Sequence, residues 1–364
     1  MVEEQNPEKR MEGYLSKVAT GPKMSKDLTC EEAEDGLTLI LEGAVSPIRA
    51  ALFLITTRMK LETIDENLGF WQALDKTTEK RTVPLETLCQ VADAFDGFER
   101  QPYFGFYVIP LLGQMGFPAY GHSALPHPPK FGFTFEDILQ NHYGIKNADY
   151  ANRIQALVKY RFGYLGTGES HPELEALREL RREIVKRPML ATLEKMLMPL
   201  AASKNYLATN YFHPGYEVSM LSVAEASNFD RVIIGNGIEG STLYGVHKKA
   251  KVFLYIKNRP QEEKVFDCVK LFGKIAGERI LEAHSAMKET SAERGTIAEA
   301  GERALKGESH PALELIACQA ATLLWLLDQV KEPLHALNEA RALLQTGKVY
   351  DTFMSYLDEL RKNT

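Results

Sequence analysis

The stretch Val91 to Ser123, VADAFDGFERQPYFGFYVIPLLGQMGFPAYGHS, constrains the fold more than any other part of the chain. It reads as an extended segment, an irregular loop, an apolar helix and a second extended segment in quick succession. That order is how a strand delivers a loop to the start of a helix in an α/β domain, where exposed backbone N–H groups favour an anion. The loop itself, Phe95 to Pro102, carries a single glycine with a bulky aromatic on either side of Asp96-Gly97. A phosphate cradle uses several glycines so that the backbone can approach its ligand. The pattern therefore marks the place of a site without supplying the usual groups.

Upstream, residues 1–11 read as a flexible polar tail and residues 12–90 as a helical domain. In Thr29-Cys30-Glu31-Glu32 the threonine caps a helix start while Glu32 reaches back, and Ala33, Leu37, Ile40 and Leu41 form one apolar face. Gly43 ends that helix. Pro47 follows Ser46 at a first helical position, where its missing donor costs nothing, and Thr63 to Glu66 repeats the capping pattern ahead of Leu68, Trp71 and Leu74. The polar run Asp75 to Thr82 reads as a linker.

Beyond it, β-leaning runs at Phe117 to Tyr120, Phe135 to Asn141, Arg231 to Ile234 and Val252 to Ile256 alternate with helical ones. A long helix is expected over Pro260 to Lys288, and helical signals fill His171 to Leu197 and Thr296 to Leu360, with Gly307 and Gly347 as punctuation. The expected fold class is α/β: a small all-helical N-terminal domain, with residues 171–197 packing back onto it, and a larger domain over residues 91–364 with a central mixed sheet flanked by helices.

Length and charge bound the rest. A chain of 364 residues suffices for two domains and a substantial core. The most apolar span, Leu313 to Val330, contains Glu314, Gln319 and Asp328, so no membrane helix is expected. The charged start leads into no apolar run and is not read as a secretion signal; a cytoplasmic protein is expected. Cys30, Cys89, Cys268 and Cys318 lie far apart, which predicts reduced thiols rather than a zinc site. A formal charge of -6 argues against a protein coated in positive potential.

The order of residues in Lys26 to Ala33, Ile40 to Pro47, Ala51 to Leu54 and Arg58 to Thr63 resembles the N-terminal helical domain of the anthranilate phosphoribosyltransferase family. Tyr164-Leu165, His171-Pro172, Leu180 to Glu183 and Pro199-Leu200 are similar to that family's segment around its substrate arginine. Arg231 to Gly235 with Glu239-Gly240 resembles its central strand and glycine loop, and Leu305 to Ala317 its C-terminal helices. The resemblance runs from about Met11 onward. It implies a nucleoside phosphorylase or phosphoribosyltransferase-like fold, a homodimer through the helical domain, and an interdomain cleft for a phosphorylated ribose or nucleotide-like ligand. The family transfers a phosphoribosyl unit from phosphoribosyl diphosphate to anthranilate with magnesium.

At the motifs the chain departs from that pattern. The family's Gly-Thr-Gly-Gly-Asp loop corresponds to Ala94 to Gly97, with Asp96 as its final acid. Its Lys-His-Gly-Asn-Arg stretch corresponds to Gly121-His122-Ser123-Ala124-Leu125, and its magnesium-holding Asp-Glu pair to Thr242 and Leu243. Arg181 matches the acceptor-binding arginine and Glu239 stands near the lost metal pair. The resemblance therefore implies magnesium only for a retained transferase, and anthranilate transfer itself is not expected. Phe95 to Arg100, Pro110 to Leu112, Gly116 to Pro118, Arg187, Thr192 and Lys195 are similar instead to a divergent branch of the family associated with nucleic-acid binding. A non-catalytic nucleic-acid-binding homodimer is the alternative.

The candidate ligand-binding residues are Asp96, Gly97, Arg100, His122, Ser123, Arg181 and Glu239. Each has a plainer reading: Asp-Gly is a common turn pair, a loop arginine is commonly solvated, and a strand-end histidine is commonly satisfied by neighbouring backbone. Arg178, Arg182 and Lys186 recur every four residues and share a helical face suited to a phosphate backbone. Glu175, Glu179 and Glu183 flank that stripe and neutralise part of it. Lys248, Lys249 and Lys251 read as solubilising loop cations, and Pro126 to Pro129 as a lid or a rigid connector.

Overall fold

Asn6 starts the first helix of the computed structural model, which describes residues 6–21, 23–99, 103–146, 148–211, 213–288 and 293–362. The Asn6 side chain accepts from the Glu8 amide at 2.9 Å and Pro7 takes the first helical position, so α1 (Pro7–Val18) forms and buries Met11 and Val18. The expected tail therefore turns helical at residue 7. Three helices follow at the caps read above: α2 (Cys30–Leu41), α3 (Pro47–Lys60) and α4 (Ile64–Thr77). Thr29 with Glu32, and Thr63 with Glu66, close reciprocal capping boxes. Phe53 of α3 meets Phe70 of α4 edge to face at 5.9 Å between ring centres.

The remainder runs β1 (Arg81–Thr82), β2 (Thr87–Ala92), α5 (Gly105–Gln114), β3 (Ala119–Ser123), α6 (Phe135–Asp137), α7 (Tyr150–Tyr160) and β4 (Phe162–Gly166). Four short helices come next, α8 (Thr167–Ser170), α9 (Pro172–Ala176), α10 (Arg178–Ile184) and α11 (Leu190–Leu193). Then follow β5 (Leu200–Ala201), β6 (Lys204–Asn210), α12 (Tyr216–Ala226), β7 (Arg231–Gly235), β8 (Ala250–Ile256) and β9 (Glu262–Phe266). Helices α13 (Cys268–Phe272), α14 (Lys274–Lys288), α15 (Arg294–Leu305), α16 (Pro311–Leu326), α17 (Pro333–Gln345) and α18 (Lys348–Lys362) complete the chain.

The seven-stranded sheet has the order β4-β3-β2-β6-β7-β8-β9, parallel from β4 to β7 and antiparallel from β7 to β9. On one face lie α5 and the C-terminal helices, with α16 buried along nearly its whole length. The other face carries α12 and shares its apolar core with the helical lobe. The returning segment rests on that lobe: α10 touches α3, α11 touches α4, and Trp71 Nε1 donates to the Met196 carbonyl at 3.2 Å. A mixed sheet flanked by helices beside an all-helical lobe is the architecture the sequence predicts.

Several local expectations are corrected. Phe135 to Asn141 is helical, because Thr134 caps it by accepting from the Asp137 amide at 3.1 Å, and a π-helical turn follows over Ile138–His142. The expected linker instead completes α4 and forms β1, and the sheet begins at Thr87. Pro260 to Lys288 is a strand and two helices broken at Gly273, whose φ of 78° ends α13. His171 to Leu197 is helical as expected, in the form of several short helices.

The close approach of α2 and α4 yields a stability prediction. A Cβ on Gly69 would lie 2.1 Å from the Cys30 carbonyl oxygen and 2.9 Å from the Ala33 side chain, whereas one on Gly13 in α1 meets nothing within 4 Å. Gly69→Ala should lower stability by about 2 kcal/mol or more. Gly13→Ala should raise it by about 0.5 to 1 kcal/mol. Urea unfolding of both variants checks this, and equal midpoints would contradict the packing described.

Candidate functional site

Strand order locates the cleft. From β2 the chain winds outward to β3 and β4, whereas β6 leads to β7 on the opposite side, so the winding reverses between β2 and β6. Loops leaving the C-terminal ends of strands on either side of such a reversal diverge and leave a crevice. A cavity of about 440 Å³ opens there. Ala94 and Asp96 line it from the end of β2, Lys130 from the segment after β3, Asn210 from the end of β6 and Glu239 from the loop after β7. Arg187 and Lys195, from the segment that packs on the helical lobe, complete the wall opposite.

Three cations and two carboxylates meet in this space. Arg187 Nη1 donates to Asp96 Oδ2 at 3.1 Å, and the Lys130 ammonium stands 3.6 Å from both Asp96 Oδ1 and Glu239 Oε1. Lys130 also donates to the Gly97 carbonyl at 2.8 Å. Lys195 is buried and donates to the Asn210 carbonyl. Burial and the neighbouring Arg187 cation push Lys195 down to about 8. Asp96 Oδ1 and Asn210 Oδ1, on residues at most 2 % exposed, have no hydrogen-bond donor.

The loop after β2 is held shut against the segment after β3, and this decides what Gly97 does. The Gly97 amide donates to the Ala94 carbonyl at 2.9 Å, and a Cβ on Gly97 would lie 2.3 Å from the Gly132 backbone. Phe98 and Phe133 bridge backbone to backbone next to it. The Asp96-Gly97 pair is therefore a packed turn whose amide is already bonded, while the Asp96 side chain faces the cavity. Arg100 lies outside the described residues.

His122, Ser123 and Arg181 are not part of the cavity wall. His122 is buried, with Nδ1 3.2 Å from Gln90 Nε2, and burial pushes it down to about 3, so it is neutral at physiological pH. Ser123 Oγ accepts from the Glu136 amide at 2.9 Å and ties α6 to β3. Arg181 is 2 % exposed and gives its guanidinium to Glu194 in a bidentate pair at 2.6 and 3.0 Å. Glu239 lines the cavity with a backbone φ of 51° and accepts from the Glu99 amide at 3.1 Å. The expected stripe on α10 is largely consumed locally, since Arg178 pairs with Glu175 and Arg182 with Glu179.

Lys130 and Asn210 escaped the sequence reading altogether, and Arg187 and Lys195 entered it only through the resemblance. Lys130 follows a proline run, Asn210 ends an unrecognised strand, and Lys195 lies among apolar helical residues. No local period marks any of them as neighbours.

The positions that correspond to a magnesium-holding pair do not fit a metal. The Thr242 amide donates to Asp93 Oδ1 at 2.7 Å, its hydroxyl accepts from Gln319 Nε2 at 2.7 Å, and Leu243 is buried. Among the described residues no group of three or more His, Cys, Asp or Glu side chains is arranged to hold a metal ion, and no helix is long and apolar enough to cross a membrane. All four cysteines are free thiols.

Asp93 links the site to stability. It is fully buried, accepts from Tyr103 Oη at 2.5 Å, and desolvation pushes it up to about 6. A carboxyl raised on folding binds its proton more tightly in the folded state. The stability it lends is complete below its ordinary value near 4 and is lost as pH rises toward 6. Asp93→Asn keeps the acceptor for the Thr242 amide and carries no charge. Relative to wild type, the variant should therefore gain up to about 3 kcal/mol between pH 4 and 7. Melts across that range check the sign; a constant difference would show that Asp93 stays ionised throughout.

With this geometry in view, comparisons with known proteins are informative. The sequence profile of the glycosyl transferase family, helical bundle domain, matches residues 12–78. An uncharacterized protein of Aquifex aeolicus is 28% identical over 217 residues, 59% of this chain, and the match spans 64% of that protein's own length. The uncharacterized protein YbiB of Escherichia coli is 24% identical over 228 residues, 62% of this chain and 70% of that protein. Among solved structures, anthranilate phosphoribosyltransferase from Saccharomyces cerevisiae in complex with PRPP and Mg superposes with a TM-score of 0.76 at 15% identity, covering 97% of this chain and 98% of the yeast chain. Residues 12–78 thus match the helical bundle domain of the glycosyl transferase family, and the chain as a whole shares the fold of anthranilate phosphoribosyltransferase.

Proposed function

We propose that the cleft between β2 and β6 binds the phosphate of a phosphorylated ribose or nucleotide-like molecule without a metal ion, and that the chain does not carry out anthranilate phosphoribosyl transfer. The observation that carries this reading is the convergence of Lys130, Arg187 and Lys195, from three separate segments, on one cavity at the reversal of the sheet. Cations gathered in a partly desolvated space attract an anion more strongly than the same cations spread over a surface. The yeast enzyme of the same fold is described with PRPP and Mg. In this chain Thr242 and Leu243 replace the acids that the resemblance assigns to magnesium, and Thr242 is already engaged by Asp93 and Gln319. The acids that the resemblance assigns to holding the metal on a departing diphosphate are therefore missing.

Inorganic phosphate and ribose 5-phosphate should each raise the melting temperature by mass action, equally with magnesium and with chelator present. Arg187→Ala and Lys130→Ala should each weaken that binding by about tenfold or more, the loss of one charge-assisted contact. Arg181→Ala, by contrast, should destabilise the fold through an unpaired Glu194. Stabilisation that requires magnesium would overturn the metal-free reading.

We further infer a homodimer through the helical lobe. Ile48, Leu52 and Met59 lie on one side of α3 and are 74%, 49% and 75% exposed, with Leu61 and Ile64 close by in sequence. An apolar patch of this kind marks an association surface. The double substitution Leu52→Glu, Met59→Glu should convert a dimer into a monomer in sedimentation equilibrium, and a monomeric wild-type protein would remove the proposal. The nucleic-acid alternative finds less support, because Glu175 and Glu179 pair with Arg178 and Arg182. Short oligonucleotides tested at two salt concentrations separate the readings, since backbone binding falls steeply with salt.

A further inference from the structure

Lys195 is unusual among the cations of the cleft. It is 5 % exposed, lines the cavity, and donates to a single main-chain carbonyl, that of Asn210. Among the described residues no carboxylate lies within ion-pairing distance of its ammonium, although Asp93, Asp96 and Glu194 all act on it from further away. Fully buried lysines without a paired acid are rare, because three N–H donors and a charge lose water for little in return. The arrangement weakens the hold of the ammonium on its proton, although the charged form still predominates at neutral pH. Burial, reinforced by the Arg187 cation, lowers Lys195 to about 8, so an appreciable share is unprotonated near neutrality. A desolvated lysine beside another cation is how an amine nucleophile is activated.

The rest of the cavity fits a carbonyl ligand with a phosphate. Arg187 and Lys130 are placed for the phosphate. Asp96 Oδ1 and Asn210 Oδ1, both buried and without donors, are placed for hydroxyl groups. Asp96 and Glu239 add negative charge to the same wall, where both face the Lys130 ammonium at 3.6 Å.

We propose that Lys195 is a nucleophile that forms an imine with the open-chain aldehyde of a phosphorylated sugar, with ribose 5-phosphate as the representative substrate. The lysine lone pair attacks the carbonyl carbon, a C–N bond forms, and the carbonyl oxygen takes up a proton to give a carbinolamine. The C–O bond then breaks, and the hydroxyl leaves as water with the remaining hydrogen of the nitrogen, which leaves the neutral imine. Amine and aldehyde thus give imine and water, with no oxidant or reductant consumed. The proposal rests on the phosphate-binding reading of the same cleft.

The test treats the full chain with ribose 5-phosphate and sodium cyanoborohydride, which reduces an imine to a stable amine, followed by peptide mapping. The expected result is one dominant adduct on Lys195, forming at least about tenfold faster than with unphosphorylated ribose because the phosphate orients the aldehyde. Its rate should rise between about pH 6.5 and 8.5 as the amine loses its proton. Excess inorganic phosphate should suppress it. Lys195→Arg should lose the adduct, whereas Lys248→Arg, at an exposed lysine outside the cleft, should retain it. Adducts scattered over exposed lysines such as Lys248 and Lys249, or equal labelling by ribose, would overturn the proposal, and this holds on wild-type protein even where the variant fails to fold. A thermal shift with phosphate but no labelling of Lys195 sinks the imine alone, whereas no shift and no protection by phosphate sinks the binding reading beneath it.

Discussion

The parallel pairing of β2 with β6 is the constraint on which the rest of the molecule depends. Six consecutive residues of β2, Thr87 to Ala92, lie in register with Lys204 to Thr209, and the winding of the sheet reverses across this seam. Reversal forces the loops that follow the two strands apart. Everything that makes the cleft distinctive then follows from what fills the gap. Asp93 and Asp96 come from one side, Asn210 and Tyr211 from the other, and Arg187 and Lys195 reach in from the segment resting on the helical lobe. The hydrogen bond from Thr209 Oγ1 to the Ala92 carbonyl, at 2.8 Å, secures the seam at its functional end.

A buried hydrogen-bond network occupies the place where the family resemblance sets a metal. Asp93 accepts from Tyr103, from the Thr242 amide and, at 3.4 Å, from Asn210 Nδ2, while Gln319 of α16 reaches the Thr242 hydroxyl. A buried carboxylate with several donors tolerates desolvation because each donor offsets part of the charging cost. The same network joins the loop after β2, the end of β6, the loop after β7 and the central C-terminal helix. A metal ion holds such loops only when bound. In this chain internal donors join the same loops.

Features set within a few residues of one another were legible in the sequence, and features set by topology were not. Thr29, Ser46 and Thr63 cap helices through contacts three residues away, so α2, α3 and α4 could be placed from the chain alone. Phe135 to Asn141 misled because aromatic and β-branched side chains outvoted the single cap at Thr134. β4 and β6 went unrecognised as strands because small and polar residues, Gly163, Asn205 and Thr209, interrupt their apolar alternation. Arg181 reads as an inward-facing ligand arginine until the fold brings Glu194 against it, and that acid is thirteen positions along the chain. Lys130, Lys195 and Asn210 share a cavity only because the segment after β3, the segment resting on the helical lobe and the end of β6 meet there, which no spacing along the chain records.

The mixture of acids and bases in the cleft is itself a physical requirement. Two like unit charges about 6 Å apart in a partly buried site repel by about 3 kcal/mol at an effective dielectric near 20, so Lys130 and Arg187 alone would oppose closure of the loops that carry them. Asp96, between the two, removes that repulsion in the empty protein. A bare phosphate entering the same space must compete with Asp96 for both cations and meet its negative charge. A ligand that also brings hydroxyl donors would turn the carboxylate from a competitor into a partner, because Oδ1, which faces Lys130 at 3.6 Å, has no hydrogen-bond donor of its own. Under the proposed reading, Asp96, the one loop acid that the resemblance carries over from a glycine-rich motif, is the group that would separate phosphorylated polyols from simple anions.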